Sequence, residues 1–234
     1  DNELDKAKRA FDNLDVSEMT REDYKARIGL FLCYIKGNGF HNNSFLEFKR
    51  NLDNRTDITA STKNKYLTSA RIWLKEANRL GRLPTDITQN VKSFEQSKKH
   101  KRDGLNEEEI IVLKNHLLTL PDNPSSSRLR AILGLLVYQG LRQIEITRLD
   151  VKDLDFVSNV AFIKGKGRDD KEPIFLNPET AKALQAYIKA YKVADGALFT
   201  SQSNNSLHKR LTTRGLRDIV KATLNRLGIK KNVH

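Results

Sequence analysis

The sequence predicts a mainly α-helical protein with a small β-hairpin, divided into two domains. Apolar residues recur at helical spacing over most of the chain, and two short strand-like runs flank a glycine-containing turn. A strongly basic, polar segment separates two helical regions, as linkers do. At 234 residues the chain is long enough for two domains with separate cores. We place these domains at residues 1–97 and 105–234, with a basic linker over residues 98–104.

The first domain is predicted to consist of helices. Thr20 is the expected N-cap of a helix that ends at Gly39, and a short helix follows over residues 44–52. Ser61 is the expected N-cap of the longest helix, which runs to Gly81. Apolar side chains on one side of the first and third helices should form the core of this domain.

The second domain is predicted to combine helices with the hairpin. The predicted helices run from Asn106, whose next three residues are glutamates, over residues 127–138, from Asn177 or Pro178 to Tyr191, and from a cap at Thr212. The predicted strands are residues 160–165 and 172–176, and Pro173 restricts the second to an edge position or a strand start. Between helix and hairpin lies an abrupt Gly140-Leu141-Arg142 junction, with Glu145 three residues later.

Composition favours a cytoplasmic location. The acidic, polar N-terminus argues against a signal peptide, and no run approaches the roughly 18 apolar residues that a membrane span needs. Cys33 is the only cysteine, so a disulfide framework is impossible. Because Cys33 lies in an apolar run, we expect it to be buried in the core.

The net charge of +13 is concentrated in two separate segments. Residues 60–102 carry a net charge of +8 and residues 204–234 carry +7, whereas residues 104–203 balance to zero. Two basic segments on one chain suggest a polyanion that is gripped from two sides. Solubility, or affinity for an anionic membrane, is the alternative explanation.

Candidate DNA-binding residues are basic or hydrogen-bonding side chains that share a helix face, the linker or the hairpin turn. They are Asn64, Thr68, Arg71, Lys75 and Arg79 on the longest helix, Lys98, Lys99, Lys101 and Arg102 in the linker, Lys164 and Arg168 at the hairpin, and Arg210, Arg214, Arg217 and Lys221 on the last helix. A solvated helix face is an equally good explanation of the first set.

The familiar enzyme motifs are missing from the sequence. It has no Walker loop, no zinc-ligand spacing and no Gly-x-Ser-x-Gly elbow. A two-metal carboxylate cluster could be drawn from Asp150, Asp153 and Asp155, although a solvated turn explains them more simply. Arg142 could clamp a phosphate while Glu145 orients it. As alternatives, Arg142 and Glu145 could form an ordinary local ion pair, and Lys166 could be one of the charged residues that are common in solvent-exposed turns.

Three motifs resemble the tyrosine recombinases, the family of phage and transposon integrases and Xer proteins. "LLVYQGLRQIEITRLDVKDLDF" resembles the first arginine box, and "IKGKGRDDKEPIFL" resembles the β2–β3 hairpin. "LTTRGLRDIVKATLNRLGIKKNVH" resembles the helix before the His-x-x-Arg box. The resemblance implies a helical, SAM-like core-binding domain and a mixed α+β catalytic domain, which together close a C-shaped clamp on duplex DNA.

The same resemblance implies roles for individual residues. Arg142 would clamp the scissile phosphate, supported by Glu145, and Lys166 would protonate the leaving 5′ oxygen. His234 would be the first residue of His-x-x-Arg. The usual Lys-x-Arg of the hairpin is Asp-Asp-Lys in this chain, which puts its backbone contact in doubt. The second arginine and the nucleophilic tyrosine have no counterparts, and an arm-binding domain is missing, so we expect a fragment of a longer enzyme.

The implied function is site-specific recombination of a mobile element through a 3′-phosphotyrosyl intermediate. Such chemistry needs no cofactor and no metal. The implied partner is double-stranded DNA, with four protomers acting on two sites, and the implied location is the bacterial or host nucleoid. Two alternatives remain: a DNA-binding module without chemistry, whose chain lacks the nucleophile, and a host RNA-binding or architectural protein, which would require three accidental motif matches.

Overall fold

The computed structural model describes residues 3–96, 104–165, 167 and 170–231. It confirms a mostly helical chain with one small antiparallel sheet. The chain divides into two compact units, residues 1–99 and 100–234. Most of the predicted linker lies outside the described residues, so the domain boundaries stay a prediction. Within the described ranges no helix is long and apolar enough to cross a membrane.

The first unit contains four α-helices within its described part. They are α1 (Glu3–Lys8), α2 (Glu18–Asn38), α3 (Ser44–Asp53) and α4 (Ala60–Arg79), with a 3-10 turn at Arg9–Phe11. Two predicted caps are wrong: Ser17 caps α2 and Thr59 caps α4, in place of Thr20 and Ser61. Each hydroxyl accepts an N–H from the third residue of its helix. Each of these two helix starts has several serine or threonine residues close together, so the local sequence did not show which of them is the N-cap.

Aromatic packing holds the core of the first unit. Phe31 on α2 meets Phe48 on α3 edge to face, with ring centroids 5.0 Å apart, and it also packs against Trp73 on α4. The expectation for Cys33 is wrong, because its side chain is exposed. On α2 the fully buried Ile28 and Phe31 point away from the side of the helix that carries Cys33, which is why an apolar run did not bury every member.

The second unit combines five α-helices with a three-stranded sheet in its described part. The helices are α5 (Glu107–Thr119), α6 (Pro124–Val137), α7 (Gln143–Arg148), α8 (Pro178–Tyr191) and α9 (Thr213–Arg226). The strands are β1 (Leu154–Asp155), β2 (Val160–Lys164) and β3 (Lys171–Phe175), antiparallel in the order β1-β2-β3. The sheet therefore leaves β3 at an edge, as Pro173 predicted.

The predicted caps of the second unit were more accurate. Asn106 and Glu109 form the capping box of α5, and Thr212 caps α9. The predicted start of α6 at residue 127 is wrong, because Asn123 caps a helix whose first residue is Pro124. Pro124 has the fixed φ that the first helical position needs, so the Asn-Pro pair was the better start signal.

The core of the first unit gives a direct stability test. Leu74 on α4 is completely buried, whereas Leu80 at the end of the same helix is 43% exposed. Leu74→Ala should lower the free energy of unfolding by roughly 2–5 kcal/mol, since it removes buried methyl groups and leaves a cavity. Leu80→Ala should change it by less than about 1 kcal/mol. Urea unfolding followed by circular dichroism measures both, and equal losses would contradict the assigned core.

Candidate active site

A left-handed glycine places Arg142 at a helix start. Gly140 adopts a φ of +63°, which a residue with a Cβ rarely tolerates. The following N–H, of Leu141, donates to the carbonyl of Leu135 at 3.1 Å and so closes the end of α6. Leu141 itself turns into the core of the second unit. The chain therefore leaves α6 sharply, and Arg142 emerges as the N-cap of α7.

A buried carboxylate holds Arg142 in place. One Glu145 oxygen accepts the backbone N–H of Arg142 at 2.8 Å, and the other accepts its guanidinium Nη1 at 2.9 Å. The Glu145 side chain is 7% exposed, whereas that of Arg142 is 74% exposed. Because the carboxylate is fixed and sheltered, the guanidinium is oriented with most of its surface toward solvent. A group held in this way can receive a phosphate through parallel N–H bonds.

Arg142 and Glu145 line a cavity of about 520 Å³. Its wall opposite α7 is the hairpin, which contributes Ile163, Gly165, Glu172 and Ile174. The structure thus brings the first arginine box and the hairpin to one cavity, as the family resemblance implied. Lys164 lies at the end of β2 beside this wall. Lys166, Arg168 and His234 lie outside the described residues, so their predicted roles are not tested.

Two polar contacts that sequence reasoning missed tie the hairpin to the α7 segment. Arg148, in the last turn of α7, donates from Nη1 to the carbonyl of Gly165 at 3.3 Å. Lys171, the first residue of β3, forms an ion pair with Asp153. Lys171 lies where the hairpin departs from the usual Lys-x-Arg, and its ammonium binds a carboxylate of the protein itself. The sequence shows an acid at position 153 and a base at position 171, but no local spacing indicates that the two residues pair.

The three aspartates considered as a metal cluster have separate intramolecular partners. Asp153 is buried and accepts the N–H of Asp150 at 3.0 Å as well as the Lys171 ammonium. Asp150 pairs with Arg210, and Asp155 accepts the N–H groups of Val157 and Ser158. The simple picture of a solvated turn is therefore wrong for Asp153. Among the residues that the structure describes, no group of three or more His, Cys, Asp or Glu could hold a metal ion.

The candidate DNA-binding face of α4 contains several side chains with structural contacts. The amide of Asn64 exchanges two hydrogen bonds with the backbone of Phe94, at 2.9 and 2.8 Å. Arg71 donates to the carbonyl of Val91 at 2.7 Å and lies over the Phe45 ring, and burial lowers the pKa of its guanidinium. Thr68 is half-buried and Lys75 is exposed. Their DNA contacts stay a prediction, with Lys75 the most accessible of these four.

Arg79 completes the α4 set and forms a bidentate pair with Glu76. Its Nε and Nη2 donate to the two carboxylate oxygens of Glu76, at 2.8 and 2.5 Å. The guanidinium beside Glu76 holds the pKa of that carboxyl below its usual range. Arg79 remains mostly exposed, so the pair leaves part of the guanidinium accessible.

The second set of basic residues lies on and before α9. Arg210 donates to the carbonyls of Thr147 and Leu149 and to the Asp150 carboxylate, so its guanidinium joins this segment to the end of α7. Arg214 and Lys221 are exposed and Arg217 is half-buried. The linker candidates Lys98, Lys99, Lys101 and Arg102 lie outside the described residues.

Comparison with known proteins identifies the class. Residues 105–234 match the model of the phage integrase family, and the chain belongs to that family. It is 25% identical over 185 residues to the tyrosine recombinase XerC of Lactobacillus delbrueckii subsp. bulgaricus, covering 76% of this chain and 60% of the relative. XerC of Syntrophus aciditrophicus is 23% identical over 241 residues, covering 94% of this chain and 75% of the relative. The chain thus spans about 60% of the length of its first curated relatives.

Solved structures share the fold at low sequence identity. A lambda integrase dimer bound to a COC′ core site superposes with a TM-score of 0.71 at 13% identity, covering 98% of this chain and 63% of that one. The XerH site-specific recombinase bound to its difH substrate gives 0.70 at 17% identity, covering 99% and 70%. These likenesses confirm the predicted fold class.

The Glu76–Arg79 pair gives a pH test. A carboxyl whose pKa is lower in the folded state stabilises the protein above its unfolded pKa, about 4.3, and that contribution is lost as the pH falls through the folded value. Stability should therefore decrease on acidification below about pH 5, and Glu76→Gln should make this decrease shallower. Urea unfolding between pH 7 and pH 3 measures this pH dependence of stability. Glu95→Gln, at an exposed position, is the control. A wild-type acid profile in Glu76→Gln would refute the assignment.

Proposed function

We propose that this chain belongs to a site-specific recombinase of a mobile element, which cuts and rejoins DNA through a 3′-phosphotyrosyl intermediate. The observation that carries the proposal is the Arg142 site: an exposed guanidinium, fixed by a buried carboxylate, at one cavity with the hairpin. These two elements are the ones that the recombinase motifs predict. In the proposal, residues 1–97 bind the core DNA site and residues 105–234 form the catalytic domain.

Arg142 is proposed to bind the two non-bridging oxygens of the scissile phosphate. Charge grows on these oxygens as a nucleophile adds, so a guanidinium that is already oriented stabilises the transition state more than the ground state. Glu145 acts through Arg142 as a positioning residue. Lys166 and His234 are proposed to complete the site. The nucleophile is not assigned to any of the six tyrosines of the chain.

Double-stranded DNA is the proposed partner. The two basic segments supply the charge, and the XerH and lambda integrase neighbours are DNA complexes. One lambda integrase structure is a tetramer bound to a Holliday junction. We accordingly propose four protomers on two sites. Covalent storage of the phosphodiester bond energy would make a nucleotide or metal cofactor unnecessary.

Replacement of Arg142 tests the proposed mechanism. In the full-length protein, Arg142→Ala should abolish covalent trapping on a nicked suicide duplex, because the phosphate loses its main clamp, while duplex binding stays largely intact. Denaturing gels measure trapping and fluorescence anisotropy measures binding. Lys182→Ala, which removes an exposed cation from α8, is the control and should behave like wild type. If Arg142→Ala were trapped at the wild-type rate, Arg142 would not be the clamp.

A second candidate function is DNA binding without chemistry. The two basic segments supply the charge for DNA binding whether or not a nucleophile follows His234, so they are compatible with this module. The gene sequence past His234 separates the two candidates. An arginine three residues on and a tyrosine some tens of residues later support the recombinase, and an immediate stop codon supports the module. The 234-residue chain alone should bind DNA with a steep salt dependence and form no covalent adduct.

A further inference from the structure

A side chain joins the turn before Arg142 to the end of β3. Gln139 lies between the end of α6 and Gly140. Its amide nitrogen donates to the carbonyl of Phe175 at 2.9 Å, and its amide oxygen accepts the N–H of Asn177 at 2.5 Å. This orientation of the amide satisfies both backbone groups, whereas the reverse orientation would pair two acceptors and two donors. We call these two hydrogen bonds the Gln139 clasp.

The backbone that receives the clasp is itself held in place. Phe175 is the last residue of β3 and pairs with Val160 of β2. The N–H of Leu176 donates to the carbonyl of Asn159 at 2.7 Å. Asn177 is the N-cap of α8. The clasp therefore ties the turn to backbone that both the sheet and a helix fix.

The clasp also joins the two walls of the cavity that Arg142 lines. Arg142 follows Gln139 by three residues, and Ile174, on the opposite wall, directly precedes the clasped residue of β3. Closer to the hairpin turn, Arg148 donates to the carbonyl of Gly165. The α7 wall and the hairpin wall are thus hydrogen-bonded to each other through side chains at two places.

The Gln139 clasp limits the freedom of a glycine. Glu145 fixes the guanidinium of Arg142 relative to α7, but it does not set where α7 begins. Gly140 has a φ of +63°, and apart from its chain neighbours no described atom lies within 4 Å of the position that a Cβ would take. A glycine without such packing has more accessible backbone conformations than other residues. Leu141, in the core, holds one side of this glycine, and the clasp holds the other.

We propose that Gln139 is a positioning residue for Arg142, which sets the distance between the guanidinium and the hairpin wall. This inference rests on the proposed function of the site. A guanidinium stabilises the charge that grows on a phosphate only when its N–H groups lie at hydrogen-bond distance from the oxygens. Loss of the clasp therefore lowers the rate of the chemical step. Duplex binding, which the basic segments supply, stays unchanged.

Hydrogen exchange in the 234-residue chain tests the clasp itself. Gln139→Met keeps the length of the side chain and removes both hydrogen bonds. The amides of Asn177 and Leu141 should then exchange about fivefold faster, the effect of losing one hydrogen bond, and the amide of Leu133 within α6 should not change. Gln185→Met makes the same chemical change at an exposed position of α8 and should leave all three rates at the wild-type values. An unchanged rate at Leu141 would overturn the inference.

Covalent trapping by the full-length protein tests the consequence for Arg142. On a nicked suicide duplex, Gln139→Met should lower the trapping rate about tenfold, since a displacement of about 1 Å can reduce a rate by up to roughly 100-fold. The dissociation constant of the duplex, measured by fluorescence anisotropy, should stay at the wild-type value. Gln185→Met should match wild type in both measurements.

A substrate of lower charge distinguishes positioning from a general loss of structure. A methylphosphonate at the scissile position lacks one negative charge, so an oriented guanidinium contributes less to its transition state. The difference in trapping rate between wild type and Gln139→Met should therefore shrink from about tenfold to less than about threefold. A tenfold difference on both substrates would assign Gln139 a structural role only and overturn the inference.

The wild-type protein separates this inference from the proposed function. If wild type and Gln139→Met trap the phosphodiester duplex equally fast, the role of Gln139 alone is refuted. If full-length wild type forms no covalent adduct, the proposed function is refuted, and the inference about Gln139 falls with it.

Discussion

The contact between Glu145 and Arg142 is the interaction on which the described part of the site depends. An arginine side chain at a helix start has many rotamers, and holding one of them costs entropy. Glu145 offsets this entropy cost, because its buried carboxylate accepts both the backbone N–H and the guanidinium of Arg142. The same two bonds start α7 and orient the guanidinium, so local helix structure and site geometry cannot be separated.

A similar arrangement recurs at the base of the hairpin. Asp153 is also buried, also accepts a backbone N–H three residues earlier, and also holds a cation, Lys171. A buried carboxylate without such partners would be strongly destabilising, so each acid requires its cation. Because Arg148 and Asp153 belong to the segment that begins with Arg142, one short stretch of chain anchors both ends of the hairpin turn. The wall of the cavity is thereby held relative to its arginine.

The elements with strong local signals were predicted well. The helix start at Asn106, the edge position of the Pro173 strand and the Gly140 junction each depend on a few adjacent residues. The starts of α2 and α4 were misplaced because neighbouring hydroxyl residues compete as caps and packing decides among them. The burial of Cys33 was misjudged because an apolar run does not say which side of a helix meets the core.

The sequence by itself determined the class of the protein, because the order and spacing of its motifs can be read without the structure. It also indicated that Arg142 and Glu145 act together, since three residues along a helix bring two side chains to one face. Only the tertiary structure decided which polar side chains are engaged internally. Asn64, Arg210 and Lys171 have partners that are 30, 60 and 18 residues away, and no local pattern encodes them. The place of Glu172 in the lining of the cavity was also decided by tertiary structure, since strand pairing sets it opposite Ile163.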